Sequence, residues 1–487
     1  MDIHLALHGR HDLAGQIYRQ LRAGVMEGRL VAGQRLPSTR ELAISLGVSR
    51  KTTLDAFERL ITEGYLRTRA GDGTFVADAM TRLAQAPAHP LAQPVSPDTA
   101  RLPVRPLTIW ETLSGAMPMT RPGSPPQFDF VGGVTDKARF PFEAWRRCVN
   151  HALREQARGR GEYHDPVGER ALREAVSRYL AFNRAVLTPW QQVFVTQGAQ
   201  QALDLLARVT VRPGDVIAME DPGYPPARLL FAATGAQVVP VPVDAKGIVV
   251  DALPPNARMV YVTPSHQFPL GMPMEMERRL ALLAWAKRHG ALIVEDDYDG
   301  EFRFEGRPME SLKSLDKGDV VAYVGTFSKT IFPELRIGYV VPPAELTAAL
   351  RHAKQALDWH SSTMTQVALA RFMHDGDFAR HLRRMHKVYA ARRHALLAHL
   401  HGGLSAWLRP LPSAAGIHMV ALLRPGLAED ALIARANAAS VGLYGISGMY
   451  TGQAPQAGLL FGYGGIGVNE INAGLQRLAE VLDGLHM

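Results

Sequence analysis

Apolar residues follow two different periods along this chain. Between residues 38 and 62 they recur three and four positions apart, and Leu54, Phe57, Leu60 and Ile61 fall on one face of a predicted helix. Ser38, with Glu41 three residues on, makes a capping box that starts the helix before it; Gly47 ends that helix and Ser49 caps the next. Beyond residue 128 the pattern changes. The runs QVFVT, VIAME, MVYVTP, ALIVEDD and VVAYVGTF read as strands, each closed by a polar turn and several followed by helical periodicity, which predicts an α/β domain.

Proline marks the joint between the two patterns. Residues 79–127 hold ten of the 33 prolines, and the section APAHPLAQPVSP cannot form helix and has too few large apolar residues to bury. The chain therefore divides into a compact unit over residues 1–78, a semi-rigid extended linker over 79–127 and an α/β unit over 128–487. A length of 487 residues fits that division, because single cores rarely grow so large. No apolar run approaches the roughly 18 residues that span a bilayer, so no membrane partner is expected. The N-terminus has no basic leader followed by an apolar stretch, and the lone Cys148 permits neither an internal disulfide nor a cysteine metal cluster; both features point to the cytoplasm. A net charge of +8 permits an acidic partner without requiring one.

The first unit has the order of a DNA-reading fold. Two short helices joined by a tight glycine turn put Arg50, Lys51, Thr52 and Thr53 at the N-terminal end of the second helix, where a major groove is read. The segment RTRAGDGTFV then makes a glycine-turn hairpin or wing, and Arg35, Arg40, Arg67 and Arg69 are placed to meet phosphates. With 11 basic and 9 acidic residues in positions 1–78 the unit is only weakly basic, so the succession of cap, turn, basic helix start and wing carries the reading. The stretch GRLVAGQRLPSTRELAISLGVSRKTTLDAFERLITEGYL, followed by GDGTFV, resembles the winged helix-turn-helix of GntR-type regulators over nearly the whole unit. That resemblance implies contacts to a double-stranded DNA operator from Arg35, Ser38, Arg40, Ser49, Arg50, Thr52 and the wing around Gly73.

The second unit carries Lys329 at the end of an apolar run, in VGTFSKTIFPELRIGYVV. A lysine used covalently forms a Schiff base with an aldehyde, and the aldehyde cofactor that proteins hold this way is pyridoxal phosphate. Such a site needs a phosphate cradle, a carboxylate at the pyridine nitrogen, a donor for the phenolate oxygen and an aromatic side chain over the ring. Each has a candidate. FVTQGAQQALDLLARV runs strand, glycine turn, helix, so the amides of Gly198, Ala199 and Gln200 sit at a helix N-terminus that attracts an anion; Thr326 and Arg336 add a hydroxyl and a guanidinium. LIVEDDYDGEF ends a strand in two aspartates, of which Asp296 is expected at the ring nitrogen, with Tyr298 at the phenolate oxygen. Tyr224, in MEDPGYPPAR, follows another strand and is expected to stack on the ring. These groups come at successive strand ends, where α/β sheets place ligands.

Residues 128–487 resemble the fold-type-I aminotransferases through EYHDPVGERALREAVSRYL, TPSHQFPLG, EDDYDGEFRF and GTFSKTIFPELRIGYV. Fused behind a winged helix they resemble, over the whole chain, the MocR/GabR family of bacterial regulators. That resemblance implies Lys329 as the internal aldimine, Asp296, Tyr298, Tyr224, Thr326 and Arg336 in the roles above, and a head-to-tail homodimer in which Tyr163 reaches the neighbour's phosphate. Two features depart from the aminotransferase pattern. The loop that usually carries an asparagine before its proline reads HQFPLG, with Phe268 at that point and Gln267 or His266 as the substitute. The arginine that clamps the substrate carboxylate has no counterpart between Arg435 and Arg477, and a bidentate guanidinium is what aligns an α-carboxylate for transamination. Arg228, just past Tyr224, is the available replacement as an effector contact. The expected function is a transcription regulator whose DNA binding is controlled by aldimine chemistry or by cofactor occupancy. An active aminotransferase with an accessory DNA-binding unit is the alternative. The effector stays open among a small amine, an amino acid and pyridoxal phosphate itself.

Overall fold

The computed structural model describes residues 5–9, 11–77, 109–110, 125–306 and 310–484. They fall in two compact units, one within Met1–Arg105 and one within Pro106–Met487. Of the linker expected over residues 79–127, only 109–110 and 125–127 lie inside the described residues.

In the first unit α1 (Leu13–Met26), α2 (Thr39–Leu46) and α3 (Arg50–Thr62) precede an antiparallel hairpin of β1 (Leu66–Arg69) and β2 (Gly73–Val76). The capping box forms: the Ser38 hydroxyl accepts from the Glu41 amide at 3.2 Å, and the Glu41 carboxylate accepts from the Ser38 amide at 2.8 Å. Gly47 ends α2 at φ +65°, a conformation that strains any residue bearing a Cβ. Ser49 then caps α3 by accepting from the Thr52 amide at 3.1 Å.

The buried face of α3 differs from the predicted one. Thr53, expected at the groove end, is fully buried, and its hydroxyl donates to the carbonyls of Thr39 and Arg50 at 2.8 and 3.0 Å. Leu54, expected in the core, is 40% exposed. Thr53, Ala56, Phe57 and Leu60 keep the helical period, and Leu54 lies about 100° further round. A hydroxyl satisfied by two carbonyls is cheap to bury, which is why a residue counted as polar takes the inner position.

The second unit is built on an eight-stranded sheet. After β3 (Phe128–Asp129) come β4 (Phe194–Thr196), β5 (Val216–Asp221), β6 (Gln237–Asp244), β7 (Gly247–Ile248), β8 (Ala257–Val262), β9 (Leu292–Asp297), β10 (Val321–Thr326) and β11 (Gly338–Val341). The spatial order is β4-β11-β10-β9-β8-β5-β6-β7, with β10, β9, β8, β5 and β6 parallel and β11 antiparallel to both its neighbours. Every residue of β5, β9 and β10 is buried, which is why these strands read as continuous runs rather than as alternation. Along β8, Met259 and Tyr261 join the core of the helix Ala199–Thr210, whereas Val260 and Val262 join that of the helix Met276–His289.

A smaller sheet is formed by β12 (Leu408–Pro410), β13 (His418–Leu423), β15 (Tyr444–Gly445) and β16 (Gly458–Gly462), while β14 (Val441–Gly442) pairs in parallel with β3. Tyr389, Leu396 and Leu400 of the long helix Asp377–His401 belong to the same core as Leu408, Met419 and Leu459 of that sheet.

Replacing Ser49 by alanine removes the α3 cap and is expected to cost about 1 kcal/mol. Denaturant unfolding of the full chain, followed by circular dichroism, checks this; an unchanged first transition contradicts it.

Candidate functional site

Alternation along β9 separates its acids. Asp296 lines a cavity of about 140 Å³. Asp297 instead pairs with Arg184 Nε at 2.8 Å and accepts from the Tyr323 hydroxyl at 2.6 Å, and Glu295 accepts from the amides of Leu312 and Lys313, both at 2.8 Å. On the cavity side the Tyr261 hydroxyl donates to Asp296 Oδ2 at 2.7 Å, while Oδ1 is buried with no partner. Burial raises this carboxyl to about 6, with the Tyr261 hydrogen bond opposing the rise.

Lys329 enters the same cavity from the turn after β10 and donates to the Gly133 carbonyl at 2.8 Å. Burial pulls its pKa down, while the carboxylates of Asp299 and Asp296 hold it up. A lysine that gives up its proton more readily is nearer to the nucleophile that carbonyl condensation needs.

At one end of the cavity the helix Ala199–Thr210 begins, and Ala199 and Gln200 of its first turn line the wall. Gly198 stands at φ +82°, and a Cβ there would lie 2.8 Å from the Arg336 guanidinium. Glycine therefore lets Arg336 close over the helix start, where its Nη2 donates to the Gln197 carbonyl at 2.9 Å. Thr326 lines the same end and its hydroxyl donates to Ser328 Oγ at 3.1 Å. Free amides at a helix N-terminus, a hydroxyl and a guanidinium make an anion site. Tyr224, Phe268 and Tyr298 form the aromatic wall, with Tyr224 and Phe268 edge to face at 5.2 Å. Burial lifts the Tyr224 hydroxyl to about 12, so it stays protonated.

Three residues near this cavity escaped the sequence reading: Tyr261, Asp299 and His418. Tyr261 had a usable signal, since a tyrosine inside a strand buried on both faces must find a partner for its hydroxyl. Of the two substitutes expected at the HQFPLG loop, Gln267 turns away: its amide donates to the carbonyls of Pro222 and Phe268 at 2.8 and 2.7 Å. His266 instead meets the Tyr298 hydroxyl, through its carbonyl at 2.9 Å and its Nδ1 at 3.0 Å.

Three expected residues are not among those lining the cavity: Gly198, which stands at the helix start behind Arg336, Tyr163, which was expected at the neighbour's site, and Arg228. Tyr163 is 76% exposed and packs its ring 4.7 Å from that of Trp359. Arg228 is half-buried and donates to the Met449 carbonyl at 2.8 Å, while the Asp221 carboxylate accepts from the amides of Thr451, Gly452 and Gln453. The two side chains together fasten residues 449–453.

In the first unit Ser38, Arg40, Ser49, Arg50 and Lys51 are exposed at the starts of α2 and α3, with Thr52 half-buried beside them. Arg35 is exposed and lies against the hairpin, its Nε 3.1 Å from where a Gly73 Cβ would stand. Among the described residues, no helix is long and apolar enough to cross a membrane.

Residues 13–76 match the family described as bacterial regulatory proteins, gntR family, and residues 131–449 match aminotransferase class I and II. The chain is 38% identical to the "Probable rhizopine catabolism regulatory protein MocR" of Rhizobium meliloti, over 95% of this chain and 92% of that protein. It is 32% identical to the HTH-type pyridoxine biosynthesis transcriptional regulator PdxR of Corynebacterium glutamicum, over 95% of both. It superposes on the crystal structure of Pyrococcus horikoshii kynurenine aminotransferase in complex with PMP with a TM-score of 0.69 and 27% identity, covering 79% of this chain and 96% of that one.

A GntR-type winged helix-turn-helix and a pyridoxal phosphate domain of aminotransferase fold type I together define a transcription regulator that binds DNA and takes pyridoxal phosphate as its cofactor. Within that class, the chain belongs to the MocR-type regulators of the GntR family. The residues present fit the cofactor, above all because Asp296 lines the cavity with an Oδ1 that is buried and has no protein partner.

A Cβ added in Gly198→Ala is expected to displace the Arg336 guanidinium and weaken pyridoxal phosphate binding about tenfold. Titration of the apoprotein followed by absorbance measures this, and an unchanged affinity removes the contact from the anion site.

Proposed function

We propose that the second unit is a sensor in which Lys329 tethers pyridoxal phosphate and the state of that tether controls operator binding by the first unit. The observation that carries this reading is the convergence of Lys329 and the unpartnered Asp296 oxygen on one cavity. Pyridoxal phosphate, when bound, supplies an aldehyde that exchanges reversibly between amines and a ring that withdraws electrons. Asp296 Oδ1 would accept from the protonated ring nitrogen, Tyr298 would meet the ring oxygen, and Tyr224 would pack on the ring. The amides of Gly198, Ala199 and Gln200, with Thr326 and Arg336, hold the phosphate. In this reading residues 1–78 bind the operator, 79–127 connect, and 128–487 hold the cofactor.

The effector is a small amine, an amino acid, or pyridoxal phosphate itself. Of the cationic side chains lining the cavity, Lys329 and Arg336, both are committed to the cofactor, and Arg228 is spent on the Met449 carbonyl. An entering carboxylate thus meets no free guanidinium among the described lining residues, which favours recognition over turnover. A ligand changes DNA binding only if it favours one arrangement of the protein over another. Release of Lys329 supplies such a difference: the freed ammonium donates to the Gly133 carbonyl, four residues after β3, which pairs with β14.

Two chains assemble head to tail in the cytoplasm, with exposed Tyr163 of one reaching the phosphate site of the other. Arg35, Ser38, Arg40, Ser49, Arg50, Lys51, Thr52 and the wing at Gly73 face the operator, and a dimer presents two such surfaces to paired half-sites.

Reconstituted wild-type protein is expected to show a visible absorption band that Lys329→Ala lacks and that shifts with an amine effector. A band of equal strength in Lys329→Ala contradicts the tether. Cofactor binding needs Asp296 ionised, so affinity is expected to fall as pH drops through about 6. Tyr261→Phe removes the hydrogen bond that opposes the rise, so the fall moves to higher pH; equilibrium dialysis across pH 5–8 tests the direction.

A further inference from the structure

Beside Tyr298 lies a buried constellation that cofactor binding alone does not require. His266 and Asp299 are each 1% exposed. Their protons follow from their partners. The Ser413 hydroxyl donates to the Ala415 carbonyl at 3.0 Å, so its oxygen is left to accept from His266 Nε2 at 3.3 Å, and Nε2 carries a hydrogen. His266 Nδ1 stands 3.1 Å from both oxygens of Asp299, and an ionised carboxylate only accepts, so Nδ1 carries a hydrogen as well. Burial pushes the Asp299 carboxyl up, but the charge and hydrogen bond of His266 outweigh it and hold the group below the usual range. With acceptors at both ring nitrogens, the geometry is that of a ring donating from both.

The Tyr298 hydroxyl donates to the His266 carbonyl at 2.9 Å, and its oxygen lies 3.0 Å from the same Nδ1, whose one hydrogen it shares with Asp299. Gly416, at φ +85°, lies against the pair; a Cβ there would overlap the His266 ring and approach Asp299 Oδ2 to 2.6 Å. The backbone is thus shaped around these two side chains.

We propose that the His266–Asp299 pair is a positioning device that fixes Tyr298 at the cavity wall and sets the charge felt by the cofactor's ring oxygen. This rests on the cofactor reading above. The Tyr298 proton now goes to the His266 carbonyl, and a bound anionic oxygen would compete for it; a ring donating to the phenol from behind would make it a better donor there and lower the proton affinity of the ring system. The other groups facing the pair do not duplicate it. His418 is neutral, pushed down to about 3 by burial, and donates to the Pro269 carbonyl at 3.2 Å. The Tyr463 hydroxyl donates to the Gly416 carbonyl at 2.7 Å, and Arg393 donates to the Ser413 carbonyl at 2.6 Å. Lys329 attracts the Asp299 carboxylate and Asp296 repels it.

The test is the pH midpoint of the visible band in full-length protein reconstituted with pyridoxal phosphate. His266→Gln is expected to raise the midpoint by about one pH unit, a tenfold change in proton affinity. The double variant His266→Gln with Asp299→Asn removes both buried charges, so it leaves no unpaired carboxylate to unfold the protein, and it is expected to shift the midpoint in the same direction. Tyr298→Phe is expected to shift the midpoint less in the His266→Gln background than in the wild type, because the pair acts through Tyr298. A wild-type band with midpoints unmoved in both His266 variants overturns the proposal and leaves the cofactor reading standing. Absence of a wild-type band overturns both.

Discussion

A carboxylate buried at the end of β9 organises the second unit. An isolated charge in such a place costs enough that the group takes up a proton or finds partners. The period of two along the strand gives this chain three acids in a row and splits them between faces. Asp297 and Glu295 are compensated by protein, through Arg184, Tyr323 and two backbone amides. Asp296 is only half compensated, by Tyr261 on one oxygen. The other oxygen is buried with no protein partner, and in the proposed reading it would accept from a protonated ring nitrogen, each group stabilising the charged form of the other.

The remaining groups are arranged about that point by the parallel sheet. Strands β4, β5, β8, β9 and β10 deliver Gly198, Tyr224, His266, Asp296 and Thr326 to one edge, and the lysine follows Thr326 by three residues. Enzymes of this fold add a guanidinium for the substrate carboxylate. In this chain Arg336 closes on the helix start and Arg228 fastens the loop at Met449. In the proposed reading the chemistry kept is capture of an amine or of the cofactor, since the contact that aligns a substrate for turnover has no candidate among the described lining residues.

Much of this was legible in the sequence because it is local. Caps, the glycine turn and the wing are set by residues three or four apart, and strands buried on both faces announce themselves as apolar runs. Lys329, Asp296, Tyr298, Tyr224 and Arg336 were recoverable as residues of one cavity because each lies at or within a few positions of a strand end. What escaped is non-local. Tyr261 meets Asp296 across 35 residues, His266 meets Asp299 across 33, and Lys329 meets Gly133 across 196. The misplacement of Thr53 and Leu54 has another cause: apolar periodicity treats threonine as polar and does not see two carbonyls waiting for its hydroxyl. Gln267 and His266, adjacent in sequence, turned to different partners because one amide side chain satisfied the loop's own backbone.

The central claim is that Lys329 links the cavity to the DNA-binding unit. Its most direct test is operator affinity at fixed salt, measured by fluorescence anisotropy on DNA selected with the wild-type protein, for cofactor-loaded wild type and Lys329→Ala across a panel of primary amines and amino acids. The account predicts that one class of compound changes wild-type affinity while Lys329→Ala binds the same DNA and ignores every compound. An equal response in both proteins would contradict it.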